Sequence, residues 1–173
     1  MEIKKTTTIN QSIDKVWQIM ATDYTRVGEW TSQVTLSKDN SEITAKLPDA
    51  PAGGRVCTAP GFGDIKETIT HYDENGTYFR YKADISSMPF FVKGIANGWR
   101  FRSLGPMKTE VTMKMELELN AFPGTLMAPV MRSQMGKSAN IILEELKYYA
   151  ETGRIHGRKL KALKKEGRSP VTA

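Results

Sequence analysis

The chain has 173 residues, with 39% apolar and 25% charged, proportions ordinary for one globular domain with a sizeable core. A single cysteine, Cys57, excludes an intramolecular disulfide, and no run of about 20 apolar residues offers a membrane helix. The net charge of +6 belongs to the tail: seven basic residues and one acid lie between 154 and 168, so residues 1–153 are formally neutral and offer no basic face for nucleic acid.

The N-terminus, Met-Glu-Ile-Lys-Lys-Thr-Thr-Thr, lacks the apolar core of a signal peptide, so a cytoplasmic protein is expected. Glu2 to Ile9 alternates and is Thr-rich, which predicts a strand. Ser12 then has the chemistry of a helix N-cap, with Asp14 in the first turn where the helix dipole favours an acid. Val16, Trp17, Ile19 and Met20 form the apolar stripe of a short helix, with Trp17 assigned to packing. A second helical turn carries Tyr24 and Val27, Gly28 closes it, and Trp30 opens a strand running to Ser37 with Trp30, Val34 and Leu36 in one phase.

Pro48, Pro51, Gly53 and Gly54 mark a turn before extended structure over 55–59, and Pro60 to Asp64 is a tight turn into a strand over 65–72. Asp73-Glu74-Asn75-Gly76 is a hairpin signal leading into a strand over 77–85. A looser link, Ser86 to Pro89, precedes a strand over 90–104, and Gly105-Pro106 turns the chain into a last strand over 108–120. There Val111, Met113, Met115, Leu117 and Leu119 share one face against Thr112, Lys114, Glu116 and Glu118, the pattern of an antiparallel sheet covered on one side.

From about Leu126 to Thr152 the period becomes helical, with Met131, Met135, Ser138, Ile142, Leu146 and Tyr149 on one face. Pro129 suits only a first turn, so the regular helix is expected to start near it, and Gly153 to stop it.

One strand, two short helices, about six meandering strands and one long helix resemble the helix-grip fold of the START-like, Bet v 1-like (SRPBCC) superfamily. Within it the chain is similar to the bacterial polyketide cyclase/dehydrase and lipid-transport group. The residues carrying the resemblance are Ser12 to Trp17, Trp30, Gly54-Arg55, Glu67-Thr68-Ile69 and Tyr72-Asp73-Glu74. The resemblance implies an α+β domain over 1–153, with a curved antiparallel sheet of six to seven strands around the C-terminal helix, and a basic tail over 154–173. It also implies a cavity between sheet and helix for a hydrophobic or amphipathic molecule such as a lipid, quinone or polyketide. A fold by itself assigns no chemistry.

Strand phase nominates the cavity wall. Glu67 shares a face with Ile65, Ile69 and His71, and is read as a carboxylate paired with a structural arginine, a ligand anchor, or a catalytic acid/base. His71, at the strand end, is expected at the rim or surface. Phe79, Tyr81, Ala83 and Ile85 share the next face, and Ile95, Asn97, Trp99 and Phe101 the one after; Asn97 would need a partner. Arg55 and Cys57 share a face, and Cys57 reads as packing. Met113 and Met115 would face Met127, Met131 and Met135 as core filling or a deformable wall. The expected ligand-binding set is therefore Trp30, Glu67, Ile69, Phe79, Tyr81, Asn97, Trp99, Met113, Met115, Met131 and Met135, with Glu67 and Tyr81 the catalytic candidates.

Two histidines and one cysteine supply no plausible metal site, and no phosphate-binding loop or dinucleotide fingerprint occurs, so no cofactor is expected. A carrier or sensor of a small hydrophobic molecule, a cyclase/dehydratase-type enzyme and a protein-interaction module are the readings left open. The tail is expected to be a solvated terminus; its alternative is weak contact with anionic lipid or RNA through a short basic helix, with no specific DNA binding.

Overall fold

The computed structural model describes residues 1–169. A seven-stranded antiparallel sheet runs β1(Glu2–Ile9), β7(Lys108–Leu119), β6(Val92–Gly105), β5(Tyr78–Ile85), β4(Gly63–Asp73), β3(Gly54–Ala59), β2(Leu36–Asp39) in spatial order. Only β1 departs from the order of a simple meander, closing the sheet beside β7. Between β1 and β2 lie α1(Ile13–Trp17), a π-helical turn (Gln18–Thr22) and a 3-10 turn (Tyr24–Glu29); α2(Gly124–Thr152) and α3(Gly157–Lys165) follow β7. This is the expected α+β helix-grip architecture. Among the described residues no helix is long and apolar enough to cross a membrane.

Local chemistry accounts for the joints. The Ser12 hydroxyl accepts the Lys15 amide at 3.3 Å and caps α1. Asp73 accepts the Gly76 amide at 2.8 Å and closes the β4–β5 hairpin. Gly153, at φ 67°, ends α2 in the left-handed conformation that glycine adopts without a Cβ clash.

Five expectations change. Trp30 does not open a strand: it ends the 3-10 turn, and only Leu36–Asp39 joins the sheet, with Leu36 exposed. The reason is a distant carboxylate, since Glu145 on α2 accepts the Thr31 hydroxyl at 2.8 Å and the Ser32 amide at 2.7 Å, holding that segment off any ladder. Gly28 is not a stop. It lies inside the 3-10 turn, where a Cβ would press on the Ser37 backbone at 2.9 Å, so glycine is what lets the turn pack on β2.

A β-bulge between Ile69 and His71 flips the phase of β4, placing Tyr72 against the core and His71 outside, beside Tyr78. Helix α2 begins at Gly124 with Pro129 inside it. The carbonyl that the proline leaves without an amide is that of Thr125, an exposed first-turn residue that water can serve.

The described part of the tail is not a frayed terminus. α3 buries Lys159 and Leu163 against the body. The Lys159 amine donates to the Val34 carbonyl at 2.7 Å, and Arg158 donates to Glu145 at 2.9 Å and Glu144 at 2.7 Å. Residues 170–173 of the expected tail lie outside the described residues.

Candidate functional site

The register across the sheet sets the inner wall in rows. One row runs Ile69, Tyr81, Asn97, Met115, Ile3 from β4 to β1, and its neighbour runs Arg55, Glu67, Ala83, Ile95, Leu117 from β3 to β7. On the other side of Tyr81 stands Phe79, which packs against Trp17, Tyr24, Trp99 and Phe101 at ring separations of 6.0–6.5 Å. Strand alternation thus brings Glu67, Ile69, Phe79, Tyr81, Asn97, Trp99, Met113 and Met115 to one buried face, as their phases require.

Glu67 is the acceptor of a buried polar cluster. The Arg55 Nε donates to Glu67 Oε2 at 2.6 Å, and the Tyr24 hydroxyl donates to the same oxygen at 2.9 Å. Arg55 also donates to the Tyr24 carbonyl, and its guanidinium lies 4.0 Å from the centre of the Tyr24 ring and 5.3 Å from that of Tyr81. Burial is the largest single influence and opposes the Arg55 charge, but the Glu67 carboxylate together with Tyr24, Cys57 and Tyr81 outweighs it and holds the guanidinium pKa well above its usual value. Burial, followed by the Glu67 charge, pushes the phenols of Tyr24 and Tyr81 upward, so both are neutral donors near pH 7. Burial likewise raises the Cys57 thiol, whose Sγ lies 3.6 Å from the Ser37 hydroxyl within the core, in keeping with a packing role.

The unsatisfied groups are equally informative. Asn97, 7% exposed, has a buried Oδ1 with no partner among the described residues. Trp99 Nε1 also lacks one, although it faces the Tyr81 hydroxyl. Both atoms lie on the apolar inner wall.

Not every expected residue joins this wall. Trp30 joins the same core from the 3-10 turn rather than from the sheet, stacked on Tyr149 at 6.4 Å beside a depression of about 200 Å³ formed with Lys15, Ile19 and Arg26. Met131 and Met135 are half-buried, Met135 packing on the core, while Met127 is exposed. Helix α2 explains this: it packs chiefly on β1, and its buried apolar residues, Ala139, Leu143, Leu146 and Ala150, all lie in its second half.

A depression of about 830 Å³ lies on the outer face of the sheet, away from the gap between sheet and helix. Within it Arg80 pairs with Glu116 at 2.6 Å, and Lys114, beside it, pairs with Glu2 and Glu116, which describes a charged solvent face.

The sequence offers a structural arginine as a partner for Glu67, and the structure identifies it as Arg55; the Tyr24 hydroxyl is the partner it misses. Strand phase alone puts Arg55 on one face with Cys57 without deciding which face that is, and Tyr24 reads only as part of a second helical turn. The available signal was Gly54-Arg55 opening a strand that must pair with the one bearing Glu67.

A family model described as Polyketide cyclase / dehydrase and lipid transport matches residues 1–151. The chain belongs to this family. Members of the same fold include a START superfamily protein from Mycobacterium smegmatis, 15% identical, with TM-score 0.67 over 88% of this chain and 98% of that one. Ara h 8.0201 is 11% identical, with TM-score 0.64 over 87% and 97%. The di-domain ARO/CYC BexL from the BE-7585A biosynthetic pathway is 8% identical, with TM-score 0.63 over 86% of this chain and 47% of that one. At such identities the likeness speaks for the fold alone. No curated protein matches the chain in sequence.

Proposed function

We propose that the protein binds one small hydrophobic or amphipathic molecule, of the lipid, quinone or polyketide class, between the inner sheet face and the first half of α2. The observation carrying this reading is Asn97: a buried carbonyl oxygen without a donor, in a row otherwise made of Ile69, Tyr81, Met115 and Ile3. An apolar wall bearing an unsatisfied acceptor, with the unpaired Trp99 Nε1 on the same face, is what a ligand with a hydroxyl or amine would complete. Met113 and Met115 supply a wall that adapts to ligand shape. Entry runs beneath the first half of α2, whose side chains leave the sheet least tightly covered.

Carriage rather than catalysis fits the polar cluster. Moving a proton onto Glu67 would leave the buried Arg55 charge uncompensated, so Glu67 holds Arg55 and Tyr24 in place. Tyr81, neutral and beside Asn97, orients a ligand. A protein-interaction role is favoured by one observation, the depression of about 830 Å³ on the outer face of the sheet.

Native mass spectrometry of the purified protein, followed by denaturing extraction, separates these readings. The expected result is a co-purifying apolar molecule, present at lower occupancy in Asn97→Leu. A protein that carries nothing and takes up nothing from a mixture of lipids and quinones would overturn ligand binding. Turnover of a bound polyketide that is lost in Glu67→Gln, with binding retained, would establish the enzyme instead.

A further inference from the structure

Three loops meet at one end of the sheet, and each carries an exposed phenylalanine. The β3–β4 turn carries Phe62, 48% exposed; the β5–β6 loop carries Phe90, 82% exposed; the β7–α2 junction carries Phe122, 82% exposed. Hydrogen bonds tie the loops into one rim: the Ser87 hydroxyl donates to the Phe62 carbonyl at 2.8 Å, and the Asn120 amide donates to the Phe91 carbonyl at 2.8 Å. Leu126 and Val130, 70% and 49% exposed, continue the stripe from Phe122 at intervals of four residues along α2. Residues 60–63, 86–92 and 119–131 contain no charged side chain. Isolated exposed apolar residues are ordinary, but five drawn from three hydrogen-bonded loops and one helix stripe are not.

A basic element lies beside this rim. Arg168, just past α3, donates to the Thr35 carbonyl at 2.6 Å, and the Thr35 amide donates to the Thr58 carbonyl, two residues before the turn that carries Phe62 begins. On α3, Lys161, Lys164 and Lys165 are exposed, while Lys159 and Leu163 fasten the helix to the body. The helix therefore presents its lysines outward from a fixed position at the edge of the apolar rim.

We infer that this end of the molecule is a docking face for the surface of an anionic lipid bilayer. Phe62, Phe90 and Phe122, with Leu126 and Val130, enter the headgroup boundary, where apolar side chains gain from burial. The α3 lysines meet the negative surface potential. Charge complementarity selects this occupant: an uncharged apolar tip flanked by a basic helix matches a hydrocarbon layer bounded by anionic headgroups. A second copy of the chain would set like-charged helices side by side. Docking of this kind needs no molecule inside the domain, so it stands or falls separately from interior ligand binding.

Flotation with vesicles tests it, using full-length protein against phosphatidylcholine alone and phosphatidylcholine with phosphatidylglycerol. The expected result is binding to the anionic vesicles that weakens with salt. Phe90→Ser/Phe122→Ser should weaken it at least about tenfold, and Lys161→Glu/Lys164→Glu/Lys165→Glu by about a hundredfold at low salt. All five sites are exposed, so both variants should keep the wild-type melting temperature, and a circular dichroism melt confirms it. Wild-type protein that stays with neither vesicle, or binding that survives the double phenylalanine change, would overturn the inference. So would phenylalanine-dependent dimerisation in sedimentation without vesicle binding. Equal binding to neutral and anionic vesicles would remove the role given to α3.

Discussion

Arg55 and Glu67 stand directly opposite each other across β3 and β4, with Nε and Oε2 2.6 Å apart and side-chain exposures of 6% and 9%. A buried pair of this kind matters most when half of it is removed. Arg55→Met should cost about 3–5 kcal/mol, because Glu67 is left as an uncompensated buried carboxylate. Arg55→Met combined with Glu67→Leu should recover most of that loss, since the two charges leave together. Urea unfolding of the wild type, the single and the double variant measures the difference. A double variant as unstable as the single would mean that the pair contributes more than mutual compensation.

Gly54 precedes Arg55, and its Cβ position overlaps the backbone carbonyl of Glu67. Both atoms in that conflict belong to the sheet framework, so no rotamer change relieves it. Gly54→Ala should therefore separate β3 from β4 and cost about 3 kcal/mol. Gly98 is a useful contrast: the nearest atom to its Cβ is the hydroxyl end of Tyr78, which can swing aside. Gly98→Ala should be milder, and thermal melts of both variants compare them.

How far the sequence reveals this molecule depends on how local each determinant is. The alternation from Val111 to Leu117 and the Asp73–Gly76 turn are local, and they place β7 and the β4–β5 hairpin correctly. The bulge after Ile69 carries neither glycine nor proline to announce it, so the outward turn of His71 was legible only as a strand-end effect. The loss of a strand at Trp30 depends on Glu145, more than a hundred residues away. Burial of Lys159 depends on the Val34 carbonyl, which is equally remote. On the inner wall, period-two phase was enough to place Glu67, Tyr81, Asn97 and Trp99, whereas the pairing of Glu67 with Arg55 required the β3–β4 register. For the same reason that its strand is lost, Trp30 meets the core from outside the sheet, against Tyr149 of α2.

Asn97 carries the functional proposal, and its replacement should separate stability from binding. An unsatisfied buried carbonyl oxygen costs about 1–3 kcal/mol, so Asn97→Leu should raise the stability of the ligand-free protein by about 1 kcal/mol after repacking. The same change removes the polar anchor and should lower retention of any bound molecule. Unfolding of delipidated protein measures the first effect, and extraction of the purified variant the second. A variant less stable in the ligand-free state would show that Asn97 is satisfied within the fold.

Lys159 gives α3 a dependence on pH. The residue is 1% exposed, and burial, followed by the nearby Arg168 charge, lowers its pKa from 10.5 to about 8 against the opposing pull of Glu166 and Glu145. In the unfolded chain the amine returns to its ordinary value. Between about pH 8 and 10.5 the unfolded state therefore binds more protons than the folded state, and stability rises with pH across that window. Below it both states are protonated and the cost of burying the charge is constant. Allowing for partial solvation of the amine, the gain from pH 7 to pH 10.5 should be about 2 kcal/mol. Lys159→Met cannot titrate, so the wild type should gain on it by that amount over the same range, whatever their offset at pH 7. Urea unfolding of both proteins at several pH values reads the difference directly. Parallel curves would show that the amine keeps its ordinary pKa and that α3 holds it in contact with water.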